Sequence, residues 1–292
     1  IISLLHLKQL YIGNGCFKNV TRIILDELNE LETVRVGRKC FIRPSECSCY
    51  VQFSVFTISN CPKLMELIME NDVFSGCETF ELNNLPSLRV MHIGNRAFQF
   101  ASNFKLIGVP LLREMVIGEN CFKNVAMFII EGYNELELLT IGKQSFTISV
   151  EDWSTGFYDG VPAKSGEFKL INCNSLKVLR IGNGVFSWYT NFSLNNVSSL
   201  KSITIGNDCF KLVSHFEING LNELETISIG KTCFTYNGKE LSCYHDGGEF
   251  IVANCPLVRR IKVAQESCVL FTNFELKNNP LLSTVQLGDN VI

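Results

Sequence analysis

Thirteen cysteines and four histidines are the residues of this chain best suited to nucleophilic, redox or metal chemistry. Thiolate sulfur and imidazole nitrogen are common zinc ligands, and a cysteine beside a histidine is a simple activated nucleophile. Two clusters carry that potential, Cys47-Ser48-Cys49 and Cys243-Tyr244-His245-Asp246. They do not combine, because seven stacked repeats separate them, roughly 34 Å at strand spacing. Within the second cluster, Cys243 and His245 lack a clear third partner. The histidines His6, His92, His215 and His245 are scattered along the chain. No Gly-rich phosphate loop, Gly-x-Ser-x-Gly turn or His-Glu-x-x-His helix occurs. The reading is a non-enzyme, with no catalytic residue, no cofactor and no metal ligand.

The cysteines serve a repeat instead. Cys16, Cys40, Cys121, Cys209 and Cys233 each precede a recurring phenylalanine, and Cys61, Cys173 and Cys255 follow Asn60, Asn172 and Asn254. Thiols locked to a repeat behave as small buried hydrophobes. Their odd number forbids complete pairing within the chain, which leaves the redox compartment open. The repeat is close to Leu-x-x-Ile-x-Ile-Gly-x-x-x-Phe, with its glycine at 13, 37, 94, 118, 142, 182, 206, 230 and 288. Glu70 and Ala264 fill the slot in two deviant copies, and the steps run 24, 33, 24, 24, 24, 40, 24, 24, 34 and 24. A fixed period of this size predicts a solenoid, whose units bury their apolar faces only by stacking. One domain is expected over 1–292, without evident capping repeats, as a segment of a longer chain.

Each unit predicts two short strands. In Leu200-Lys201-Ser202-Ile203-Thr204-Ile205 apolar and polar residues alternate with strand period. The following glycine is expected to free the backbone for a turn. A second alternating stretch, Phe-x-Leu-x-Asn/Gly, is exemplified by Phe80-Glu81-Leu82-Asn83-Asn84. Two phenylalanine columns, Phe17 to Phe234 and Phe56 to Phe274, use 18 of the 22 in the chain and predict two aromatic spines. Neighbouring rungs should pair in parallel at about 4.8 Å.

The chain resembles the leucine-rich repeat superfamily, since Leu88-x-x-Met91-x-Ile93 and its copies match the Leu-x-x-Leu-x-Leu core. The continuation Ile93-Gly94-Asn95-Arg96-Ala97-Phe98 is similar to the BspA-like branch of bacterial and protist surface proteins. The fold class implied is a β-dominated repeat solenoid, a leucine-rich-repeat-like right-handed coil with parallel strands, about eleven rungs and few helices. The consensus asparagine slot holds Gly15, Lys39, Asp72, Arg96 and Gln144 instead. An asparagine column at Asn60, Asn84, Asn172, Asn196, Asn254 and Asn278 is expected to satisfy turn carbonyls from rung to rung.

In such repeats the third and fifth positions of the strand phrase point outward. They include an apolar streak, Ile68, Val90, Val116, Leu138 and Val178, flanked by Glu66, His92, Glu114 and Arg180. A streak of this kind suits a protein partner. Three insertions, near 42–52, 147–167 and 235–249, fall at one point of the unit, where solenoid loops often bind. The middle one carries Trp153, Phe157 and Tyr158 among carboxylates. Cys49 with Cys61, and Cys243 with Cys255, are parallel pairs that read either as loop-tethering disulfides or as free thiols. Sequons occur at Asn19, Asn191 and Asn196. A net charge of -3 and a pI near 5.9 argue against nucleic acid, and no run is long enough for direct membrane insertion. The function expected is a non-enzymatic binding or adhesion module with a protein or glycan partner. The resemblance implies a cell-surface or secreted setting. The alternative is an intracellular, cytoplasmic scaffold or sensor region regulating a domain outside this segment.

Overall fold

The computed structural model describes residues 4–20, 22–42, 55–148, 157–158, 161–162, 166–235 and 247–291. Among them there is no helix: short strands alternate with tight turns. The chain forms two compact units, Ile1–Val125 with Tyr133–Ser145, and Ala126–Gly132 with Phe146–Ile292.

In the first unit the Leu-x-x-Ile phrases give a parallel row of six strands, β1 (Gln9–Ile12), β3 (Thr33–Val36), β5 (Glu66–Met69), β7 (Val90–Ile93), β9 (Glu114–Ile117) and β11 (Leu138–Ile141). The Phe-x-Leu phrases give a second parallel row, β2 (Arg22–Asp26), β4 (Val55–Ser59), β6 (Thr79–Asn83) and β8 (Asn103–Ile107). In the second unit the Leu-x-x-Ile phrases give a parallel row of five strands, β15 (Val178–Ile181), β17 (Ser202–Ile205), β19 (Thr226–Ile229), β21 (Arg260–Val263) and β23 (Thr284–Leu287). Its other row is two three-stranded sheets. One comprises β10 (Met127–Glu131), β14 (Gly166–Ile171) and β16 (Tyr189–Asn195); the other β18 (His215–Asn219), β20 (Gly248–Ala253) and β22 (Phe271–Lys277). A hairpin of β12 (Phe157–Tyr158) and β13 (Val161–Pro162) lies in the middle insertion. The register advances by one repeat, as in Glu66↔Val90 and Phe80↔Phe104. This is the β repeat solenoid that the period implies.

The two aromatic spines are present. Phe74, Phe98 and Phe122 stack at 5.1 and 5.5 Å, and Phe168, Phe192 and Phe216 at 5.3 and 5.2 Å. The columns interlock edge-to-face, as in Phe80 against Phe98 at 4.9 Å. Every phenylalanine of the first column, from Phe17 to Phe234, sits in the left-handed region, with φ between 49° and 57°. That conformation costs an L-residue about 1–2 kcal/mol. Burying the ring returns about 1.5–3 kcal/mol, which offsets the strain at the covered positions; Phe17 keeps the same turn with its ring exposed.

The repeat glycine does something other than expected. None of the slot glycines has a positive φ. They are needed because adjacent rungs touch there: a Cβ on Gly94 would lie 2.5 Å from the carbonyl carbon of Glu70, and one on Gly142 2.5 Å from that of Gly118. Close backbone approach, not turn freedom, fixes the residue. Glu70 and Ala264 are tolerated for a local reason. Each follows an insertion, and the adjacent inter-rung bonds Lys39 N–H to Asn71 O (3.1 Å) and Thr232 N–H to Gln265 O (3.2 Å) are longer than the 2.7–2.8 Å at Arg96, Asn120 and Asp208.

Apart from half-buried Cys16, the cysteine column is buried, and it also donates hydrogen bonds. The thiols of Cys40, Cys121, Cys209 and Cys233 point to the carbonyls of Gly13, Gly94, Gly182 and Gly206 at 2.9–3.1 Å. Ser145 and Ser267 occupy the same slot and donate to Gly118 O and Gly230 O at 2.8 Å. Burial pushes the thiols of Cys77, Cys121 and Cys268 up to about 12.

The asparagine column stacks, but amide to amide rather than onto carbonyls. Asn84 Nδ2 donates to Asn60 Oδ1 at 2.9 Å, and Asn196 to Asn172 and Asn278 to Asn254 at 2.8 Å. All six have φ of 52–54°, which asparagine tolerates better than most residues. A second column, not anticipated from the sequence, follows the repeat-glycine slot: Asn14, Asn71 (after Glu70), Asn95, Asn183 and Asn207 accept a backbone N–H of the next rung at 2.8–3.0 Å.

Candidate functional site

Alternation along the first-row strands buries Leu67, Met69, Met91, Ile93, Met115 and Ile117 and turns their neighbours outward. The outward residues of β5, β7, β9 and β11 form two columns across the parallel pairs. One reads Glu66, Val90, Glu114, Leu138 and the other Ile68, His92, Val116, Thr140. The apolar streak is therefore not a single column. Ile68, Val90, Val116 and Leu138 step diagonally from column to column, at the roughly 7–8 Å of diagonal cross-strand neighbours. Glu66, His92, Glu114 and Thr140 run the opposite diagonal. The face is two interleaved zigzags, one apolar and one polar, and all eight side chains are half-buried.

An ion pair and a histidine–carboxylate hydrogen bond hold the polar zigzag in place. Arg35 donates through Nη2 and Nε to Glu66 Oε2 at 2.7 and 3.2 Å, which holds its guanidinium above the usual arginine range. His92 Nε2 lies 3.0 Å from Glu114 Oε1. These carboxylates are fixed rather than free, so they frame the apolar diagonal with defined directions. The pairs are solvent-accessible and contribute little to stability.

The remaining predicted residues fall elsewhere. Val178 and Arg180 project from β15 in the second unit, in register with Ser202 and Thr204. Phe157 and Tyr158 form β12 of the insertion hairpin, and Trp153 lies outside the described residues. The insertion clusters Cys47-Ser48-Cys49 and Cys243-Tyr244-His245-Asp246 also lie outside them. Of the paired cysteines, Cys61 and Cys255 are buried free thiols, donating at 3.2 Å to Ser59 O and Ala253 O. The insertion returns share a phrase missed in the sequence, Gly166-Glu167-Phe168 and Gly248-Glu249-Phe250. A Cβ on either glycine would strike a ring of the next rung, Tyr189 at 2.5 Å or Phe271 at 2.4 Å. These glycines let an aromatic residue close the core behind each insertion.

One feature of the second row was also unforeseen. Between β16 and β18 the ladder stops, although Phe192 and Phe216 still stack beneath it. The gap opens into a cleft of about 580 Å³ lined by Asn191, Ser193, Asn195, His215, Glu217 and Asn219. Its floor reaches Leu194, which is half-buried, whereas its column neighbours Leu170 and Ile218 are covered. Gly220 stands where the column would place another asparagine, as Gly108 and Gly132 also do. Asn196 therefore has no amide to bridge toward on that side. His215 sits between Glu217 (3.2 Å) and Glu249 (3.1 Å), and among the described residues no group of three is arranged to hold a metal ion.

A family profile described as a BspA type leucine rich repeat region, in 6 copies, matches residues 67–154 and 160–244, more than half of the chain. No curated protein and no solved structure matches.

Proposed function

The chain belongs to the BspA-type leucine-rich repeat family, and from that premise we propose that it is a non-enzymatic binding module that holds a protein partner on its strand face. Repeats of this kind are generally scaffolds for protein interaction rather than for catalysis. The observation that carries the reading is the interleaved face of β5, β7, β9 and β11, where Ile68, Val90, Val116 and Leu138 are framed by oriented Glu66, His92 and Glu114. An apolar diagonal supplies buried area to an interface, and oriented polar groups beside it supply register and selectivity. Val178, Arg180 and the insertion residues Trp153, Phe157 and Tyr158 are further contacts in this reading. Adhesion at the cell surface or in a secreted setting is the role proposed, with a host or matrix protein as partner. Among the described residues no helix is long and apolar enough to cross a membrane.

The test is a fourfold variant, Ile68→Ser, Val90→Ser, Val116→Ser and Leu138→Ser, compared with the parent for retention on surfaces coated with matrix proteins and on cells. These side chains are half-buried, so the thermal midpoint is expected to fall. Compared below both midpoints, retention is expected to drop at least tenfold. Equal retention by both proteins would remove the strand face from the proposal. An intracellular scaffold is the second reading, favoured by the ten described cysteines all being free thiols. Thiol counting on protein from its native compartment separates the two: loop disulfides support the exterior, thirteen free thiols the interior.

A further inference from the structure

We infer that the cleft between β16 and β18 is a second, separate site, and that it takes the hydroxyl-bearing edge of a neutral saccharide. The cleft belongs to the second unit and to the other strand row from the face described above. Its volume of about 580 Å³ lies within the roughly 300–1,000 Å³ of small-ligand sites. Most such sites are lined by apolar groups, and this one is walled by polar ones.

The walls are two rows of outward side chains, each held from behind. On β16, Asn195 Nδ2 donates to Ser193 Oγ at 3.0 Å. On β18, Asn219 Nδ2 donates to Glu217 Oε1 at 3.1 Å, and Asn254 Nδ2 donates to Asn219 Oδ1 at 2.9 Å. His215 bridges Glu217 and Glu249. No side-chain bond crosses from one row to the other among the described residues. Asn191, exposed at the mouth, makes no side-chain hydrogen bond there. Planar amides and a carboxylate fixed in this way present both donors and acceptors at set angles, which suits adjacent hydroxyls. Half-buried Leu194 is the apolar surface that the floor offers to the C–H face of a sugar ring, with Phe192, Val197 and Leu221 buried beneath it.

Other ligand classes fit less well. No lysine or arginine lines the cleft, so a phosphate or nucleic acid has no counter-charge. An inserted peptide strand needs about 4.8 Å on each side, but Phe192 and Phe216 hold the floor closed at 5.2 Å.

The cleft also has a built-in off switch for testing. Gly220 has φ +70°, with open space where a Cβ would stand. Gly220→Asn supplies the missing amide, continues the Asn172–Asn196 bridge and narrows the cleft without loading the core. The experiment applies an array of neutral and charged glycans to the 292-residue chain, and maps any ligand found by NMR. A neutral glycan is expected to bind saturably and shift resonances within 191–197 and 215–221. Affinity should fall at least tenfold in Glu217→Gln and be lost in Gly220→Asn, with the thermal midpoint of the latter unchanged or raised. An array with no saturable neutral glycan overturns the inference. So does a glycan whose binding survives Gly220→Asn, or a preference for an extended peptide or inorganic phosphate.

Discussion

At Gly94, Gly142 and Gly288 a methyl group would meet backbone rather than a movable side chain, and this sets the tolerance of the slot there. In Gly142→Ala the new carbon would lie 2.5–2.7 Å from the peptide linking Gly118 and Glu119. The rungs must separate locally, and overpacking of this kind costs about 1–3 kcal/mol. Ala264→Gly, beside a longer inter-rung bond, is expected to cost under about 1 kcal/mol through chain entropy alone. Urea midpoints measured side by side decide it; equal midpoints would mean that the close approach is not limiting. The buried thiols give a second prediction at the same scale. Cys77, Cys121 and Cys268 ionise near 12 in the fold, against 9.0 when exposed. A group whose folded pKa is raised contributes stability that is fully present below pH 9. That stability is lost between pH 9 and 12, as the unfolded chain releases the proton first. Each such thiol steepens the loss by about 1.4 kcal/mol per pH unit. Cys121→Ser, which copies Ser145 and Ser267 in the same column, should lose less stability than the parent above pH 9. Parallel stability curves for the two proteins would refute it.

At the level of the strand and its turn, the asparagine column acts through conformation and through the amide bridge together. Asn84 has φ +52° and donates to Asn60. Asn84→Gly keeps the conformation and loses only an exposed bridge, for an expected cost under about 1 kcal/mol. Asn84→Ala loses both, at about 1–2 kcal/mol for the left-handed backbone. Equal losses for glycine and alanine would show that the bridge, not the turn, dominates. The column itself was legible in the sequence because Asn60, Asn84 and Asn172 recur at one phase of the repeat. So were both strands and both phenylalanine columns, for the same reason. What escaped was whatever depends on the third dimension between rungs. The sequence shows a glycine at 94 but not that Glu70 lies 2.5 Å from its missing Cβ. It shows Ile68, Val90 and Val116 as one streak, because only the register reveals that they alternate columns. The cleft hung on Gly220 in the asparagine column, a substitution shared with Gly108 and Gly132, so it carries meaning only once the amide bridge and the strand pairing are seen.

Across the molecule, stability should follow the rung-to-rung logic of the repeat. Each unit has its own spine, and Phe98 packs on Phe56, Phe74, Phe80 and Phe122 without reaching further along the chain. Phe210 does the same with Phe168, Phe186, Phe192 and Phe234. In a quasi-one-dimensional array, free energy is close to a sum of rung and nearest-neighbour contributions. Removing one ring then opens a neighbourhood rather than the whole chain. Phe98→Ala should cost about 3–5 kcal/mol at its own rungs. Amide hydrogen exchange is the measurement that resolves this, because it reports opening segment by segment. Protection is expected to fall by two or more orders of magnitude across the strands from β5 to β9, and to change less than twofold around β17, β19 and β21. Phe210→Ala should give the reciprocal pattern. A uniform fall along the chain in both variants would mean that all rungs unfold as one cooperative body, and nearest-neighbour stacking would then not describe this solenoid.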